Sequence, residues 1–192
     1  FSKPLFQKEF AGLSQFIEKD KSFSRIFWIP FLPPLGYVDL IHPREEASRL
    51  VQKRPFGQAS VGTYEIFNFL REAPYMGQLF DVSGIGYIVY PNLDPRRDDM
   101  HPDNVRYHTI FSNQLSKLPW LTKIESSPIH LWKVNNYQEK LFITPNVWWV
   151  IGSDEIYNEA TKSSQLSLSK NALIFAEEFP DLWDNALPFS KD

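Results

Sequence analysis

The sequence has 192 residues, a length that predicts one domain around a single hydrophobic core. It contains no Cys, which excludes disulfides, thiol catalysis and any zinc or iron–sulfur centre held by Cys. The net charge of -3 and the lack of a basic segment argue against nucleic-acid binding. No uncharged run reaches the roughly 18 residues that a membrane span needs.

The N-terminal part of the chain predicts a helix followed by short strands. Apolar residues at three- and four-residue intervals predict an amphipathic helix over 4–19. The apolar run 25–29 ends at Pro30 and predicts a buried strand. A second short strand is expected at 37–41. The charged stretch 43–53 predicts one or two helical turns.

The middle of the chain continues this alternation. Helices are predicted over 61–73 and 76–83, and Gly84 ends the second of them. The apolar segment 86–90 is typical of a buried strand. A long amphipathic helix is predicted over 104–117, with Asp103 as its N-cap.

The last third is rich in strand patterns. A hairpin is predicted over 120–134 and further strands at 141–144 and 147–151. An apolar segment at 171–177 follows. The order of elements predicts an α/β fold with a mixed sheet in a layered sandwich, its strands clustered toward the C-terminal third. We expect one domain over 1–178, and a tail over 179–192 that leads toward a membrane span.

The densest polar cluster lies between residues 94 and 103. Asp98, Asp99, His101 and Asp103 supply oxygen and nitrogen donors for a hard or borderline metal, which could activate water. The spacing matches no established ligand pattern and lacks the Gly of a calcium loop. The favoured interpretation is therefore an exposed loop without a cofactor, and a stand-alone metal-dependent hydrolase is an alternative.

Several other residues are candidates for binding. If 147–151 is a strand, Trp148 and Trp149 point to opposite faces, and an exposed indole is a platform for a sugar ring. In so aromatic a chain, the favoured interpretation is that packed layers cover both indoles. Arg25 could pair with a carboxylate or phosphate, although an edge ion pair is the simpler interpretation. Trp183 in the tail is a candidate for contact with a partner. His108 shares a helix face with apolar residues, which predicts a hydrogen-bonded core imidazole.

Several segments together carry a family resemblance. They are Arg25-Ile26-Phe27-Trp28-Ile29-Pro30, Leu79-Phe80-Asp81-Val82-Ser83-Gly84-Ile85-Gly86-Tyr87-Ile88-Val89, Ile129-His130-Leu131-Trp132-Lys133-Val134-Asn135-Asn136, and Leu141-Phe142-Ile143-Thr144-Pro145. This pattern, over about residues 1–145, resembles the soluble extracytoplasmic domains of polytopic membrane proteins of the glycosyltransferase-C type, including YfhO-like proteins. The sequence departs from it at Trp132 and at the Asn135-Asn136 pair.

The resemblance implies a non-catalytic domain on the extracytoplasmic face of a prokaryotic membrane protein, a glycosyltransferase that uses lipid-linked sugars. The domain would bind or position a glycan, or cover the membrane active site. Its partners would be the remainder of its own protein and a glycan or lipid-linked sugar. Membrane spans on both sides are expected, in keeping with the Phe1 start. The resemblance assigns no catalytic residue here. A structural or assembly module is the remaining alternative.

Overall fold

The fold alternates helices and strands in a computed structural model that describes residues 7–33, 36–57, 62–95, 100–125, 127, 129–138, 141–163 and 166–181. The helices are α1 (Gln7–Ile17), α2 (Ala47–Leu50), α3 (Thr63–Glu72), α4 (Met76–Val82), α5 (Pro102–Leu115) and α6 (Ile156–Lys162). The strands are β1 (Arg25–Trp28), β2 (Arg44–Glu46), β3 (Ile85–Tyr90), β4 (Leu121–Lys123), β5 (His130–Val134), β6 (Asn146–Val150) and β7 (Asn171–Phe175). Within these ranges no helix has the length and apolar character to cross a membrane.

The main sheet has five strands in the order β2-β1-β3-β5-β4. β1 runs parallel to β2 and β3, whereas β5 runs antiparallel to β3 and β4. Every residue of β3 is buried, as expected for a central strand that is covered on both faces. Phe27 pairs with Ile88, and Tyr90 pairs with His130 at the far end of β3. The mixed sheet predicted from the order of elements is confirmed.

Helices cover both faces of the main sheet. On one face, Leu13 and Ile17 of α1 pack in a cluster with Trp28 and other strand residues. On the opposite face, α3, α4 and α5 pack on the strands in the larger cluster, which includes Phe67 of α3, Phe80 of α4 and Trp132 of β5. Alternation along the strands sends neighbouring side chains to different layers. The result is the predicted layered α/β sandwich.

A second, two-stranded sheet lies beside α4. β6 and β7 pair in parallel, and α6 lies between them in the chain. Leu79 of α4 contacts both the main core and the small core under this sheet.

Arg54 joins the second sheet to the main body. Its three guanidinium nitrogens contact Asp154, Glu177 and Glu178 at 2.8–2.9 Å. The same guanidinium stacks over the Phe175 ring, 3.8 Å from its centroid. One side chain therefore connects the main body with the segments that follow β6 and β7.

Three local predictions are wrong. Residues 37–41 form no strand, because Asp39 accepts a hydrogen bond from the His42 backbone N–H and turns the chain there. The charged stretch 43–53 contains an expected helical turn, α2, but it also contains the edge strand β2, which was not expected. Residues 141–144 are irregular and exposed apart from Thr144. Finally, His101 and not Asp103 is the N-cap of α5, and its Nδ1 accepts from the Asp103 N–H.

Candidate functional site

The two adjacent tryptophans of β6 lie in different environments, as strand alternation predicts. Trp149 is partly buried, whereas Trp148 is 47% exposed. The Trp148 Nε1–H donates to Asn171 Oδ1 at 2.7 Å. Asn171 is buried on β7, and its Nδ2 donates to the Ser167 carbonyl at 2.7 Å. This pair of hydrogen bonds holds the exposed indole in one orientation.

Trp148 belongs to a stretch of unusually exposed apolar side chains, which we call the 141–151 surface. Its large exposed members are Leu141, Phe142, Ile143, Val147, Trp148 and Ile151. Leu141 is 86% exposed and Ile143 95% exposed. Single exposed apolar residues are normal, but a concentration of them marks an interaction site. A two-stranded parallel sheet is also ordinarily covered by other elements.

Arg25 occupies a structural position at the start of β1. Its Nη1 donates to the Ser83 carbonyl, and its guanidinium lies over the Phe23 ring, 5.5 Å from the centroid. Gly84 sits beside it with φ +66°, a conformation in which a side chain would be strained. The Arg25 side chain thus connects β1 to the turn between α4 and β3 through a hydrogen bond.

The structure describes only half of the candidate metal ligands. His101 and Asp103 lie at the exposed start of α5, with His101 Nδ1 at 3.5 Å from Asp103 Oδ2. Asp98 and Asp99 lie outside the described residues, as does Trp183. Across the part of the chain that is described, no three or more His, Asp or Glu side chains are grouped to hold a metal.

A cleft between α5 and the main sheet is a second candidate site, which we call the α5 cleft. It has a volume of about 340 Å³ and lies where β3 ends, with Asn92 and Lys123 at its walls. His108 on α5 and His130 on β5 also line it, with ring centroids 5.5 Å apart and nearly perpendicular. The two histidines lie on a helix and a strand that are separate in the sequence, and their proximity was not predicted.

Each imidazole in the α5 cleft has a fixed partner. His108 Nε2 lies 2.9 Å from the Pro91 carbonyl, and the His108 ring stacks on Tyr90. His130 Nδ1 lies 2.6 Å from Ser112 Oγ. The prediction that His108 is a hydrogen-bonded imidazole is confirmed, but its ring borders a cavity as well as the core.

The electrostatics of the α5 cleft disfavour a charged His130. Burial lowers the pKa of His130 below its ordinary value, and the neighbouring His108 and Lys123 lower it further. Lys123 in turn forms an ion pair with Glu125, whose carboxylate lies 3.1 Å from the ammonium. The α5 cleft therefore contains one ammonium, and its surroundings favour the neutral form of His130.

Comparison with known proteins does not add to this geometry. No protein-family model matches the chain, and none of the curated proteins or solved structures gives a significant match. The functional assignment therefore depends on the side chains described above.

Proposed function

We propose that this chain is a non-catalytic binding domain on the extracytoplasmic face of a prokaryotic membrane protein, a glycosyltransferase that uses lipid-linked sugars. In this proposal the 141–151 surface contacts the glycan or covers the membrane active site. The observation that carries it is the set of large apolar side chains exposed between residues 141 and 151, Trp148 among them.

The composition of the 141–151 surface fits an amphiphilic ligand. The flat face of the Trp148 indole packs well on the apolar side of a sugar ring. Because Asn171 fixes the indole, little side-chain entropy is lost when a sugar binds. The aliphatic side chains of Leu141 and Ile143 are nearly fully exposed and fit the hydrocarbon portion of a lipid-linked sugar.

Vesicle binding tests this proposal. The full chain is sedimented with phosphatidylcholine vesicles, with or without a polyprenyl-phosphate-linked sugar. We expect Trp148→Ala to remove the part of the binding that depends on the sugar. Burial of an isoleucine contributes about 1.5–3 kcal/mol, so Ile143→Ser is expected to weaken binding by roughly tenfold or more. Leu40→Ser is the matched control, since Leu40 is 94% exposed but lies outside this surface.

Two outcomes would contradict the proposal. Binding that Trp148→Ala and Ile143→Ser leave unchanged would show that the 141–151 surface is not the site. Self-association of the chain that Ile143→Ser abolishes, without any vesicle binding, would instead establish an assembly module. Near-UV circular dichroism of each variant checks that the fold is intact.

A further inference from the structure

The position of the α5 cleft in the sheet is typical of a ligand site. β3 pairs with β1 in parallel and with β5 in antiparallel orientation, so the cleft opens where the sheet changes direction. Its wall begins at Asn92, just beyond the carboxyl end of β3. In α/β sheets, ligands bind outside the carboxyl ends of the strands, where the order of connections changes. The cleft uses none of the residues of the 141–151 surface.

The lining of the α5 cleft is rich in hydrogen-bond donors. Asn92 and Asn113 contribute side-chain amides, and Lys123 contributes an ammonium. His108 and His130 contribute imidazoles. None of the described residues that line this cavity is acidic. A cleft with this lining attracts an anion and repels a cation.

The hydrogen bonds of the two imidazoles determine which ring nitrogens remain available to a ligand. Since a carbonyl can only accept, the 2.9 Å contact with Pro91 places a proton on His108 Nε2. His108 Nδ1 then carries a lone pair and accepts a hydrogen bond, as from the hydroxyl of a singly protonated phosphate. His130 uses Nδ1 for Ser112, which leaves its Nε2 for a ligand. Both rings are therefore held by protein contacts that a ligand does not need to displace.

Charge balance in the α5 cleft also favours an anion. Lys123 and His108 face His130, and both disfavour protonation of its ring. Glu125 is the acidic group that faces it, and Glu125 is already engaged by Lys123. A bound anion would place a negative charge beside His130 and would favour protonation of its ring.

We propose that the α5 cleft binds the phosphate group of a small phosphorylated molecule, with Lys123, His108 and His130 contacting the phosphate. The amides of Asn92 and Asn113 contact the rest of the ligand. The cleft volume of about 340 Å³ lies at the small end of the range for small-molecule sites. A second cavity of about 160 Å³ shares Asn92, Lys123 and His130 with it, and Glu125 also lines that second cavity.

Isothermal titration with inorganic phosphate and with a hexose phosphate measures this binding. Lys123→Gln is expected to weaken both affinities by roughly tenfold or more, because it removes a charge-assisted hydrogen bond. Glu125→Gln is expected to strengthen them, since it frees Lys123 from its competing carboxylate. Lys133→Gln is the matched control. Lys133 is an exposed lysine on β5 that pairs with Thr122, the residue before Lys123 on β4.

The pH dependence is measured with sulfate, whose charge does not change near neutrality. Protonation of His130 places a second cation beside the anion, so sulfate affinity is expected to rise as the solution is made more acidic. His130→Gln should flatten this dependence. Phosphatidylcholine vesicles with and without phosphatidic acid show whether the phosphate is carried by a soluble molecule or by a lipid.

Several results would overturn the proposal. One is the absence of phosphate and sulfate binding at millimolar concentration in a folded protein. Another is an equal loss of affinity in Lys123→Gln and Lys133→Gln, which would indicate nonspecific charge attraction. Because these variants leave the 141–151 surface intact, failure here does not affect the vesicle experiment.

Discussion

Trp28 and Trp132 are both fully buried but differ in how their indole N–H groups are satisfied. Trp132 Nε1–H donates to Ser116 Oγ at 3.1 Å, whereas Trp28 Nε1 has no acceptor among the described residues. Changing either residue to Phe removes roughly 50 Å² of buried ring, or about 1.2 kcal/mol, and leaves a similar cavity. These losses nearly cancel when the two variants are compared.

The comparison then isolates the hydrogen bond. Trp132→Phe also loses a bond that contributes about 1 kcal/mol, while Trp28→Phe removes a buried unpaired donor that costs about 1–3 kcal/mol. We expect Trp132→Phe to lower the free energy of unfolding by about 2–4 kcal/mol more than Trp28→Phe does. Urea unfolding followed by far-UV circular dichroism, with equal denaturant slopes, gives this difference. An equal or larger loss for Trp28→Phe would refute the reasoning.

Two further predictions concern charged side chains. Burial raises the pKa of Asp81 to about 6, so the folded state binds more protons than the unfolded state between about pH 4 and pH 6, and stability falls as pH rises through that range. Asp81→Asn should therefore raise the free energy of unfolding by about 1–3 kcal/mol near neutral pH, but should not raise it below about pH 4. Urea unfolding at the two pH values measures this difference. An equal gain at both pH values would show that the buried carboxylate charge is not the cause. Arg54→Ala should lower the free energy of unfolding by about 1–2 kcal/mol at low salt and by less at high salt, because the ion pairs of Arg54 are partly exposed. Arg71→Ala, which removes a local surface pair, is the control, and an equal loss there would contradict this role of Arg54.

Much of the fold could be predicted because the pattern of several elements agrees with their burial. The apolar runs at 25–29 and 86–90 became the buried strands β1 and β3, and the hairpin over 120–134 became β4 and β5. β2 could not be predicted, because Arg44–Glu46 has no apolar pattern and is a strand only through pairing with β1. Tertiary pairing, and not local preference, determines its conformation.

The candidate sites were less predictable. Alternation indicated that Trp148 and Trp149 face opposite sides, but not which of them is exposed, since this depends on what packs over the small sheet. His108 and His130 lie on different elements, so only the packing of α5 on the sheet brings their rings together. The antiparallel pairing of Tyr90 with His130 sets the start of β5 beside the end of β3.

The three ion pairs of Arg54 also have a consequence for the kinetics of folding. Its carboxylate partners lie 100 to 124 residues away along the chain, so each contact closes a very long loop. Such contacts are costly in chain entropy until the intervening elements are ordered. We therefore expect the Arg54 contacts to form after the rate-limiting step, so that their loss accelerates unfolding and leaves the refolding rate almost unchanged.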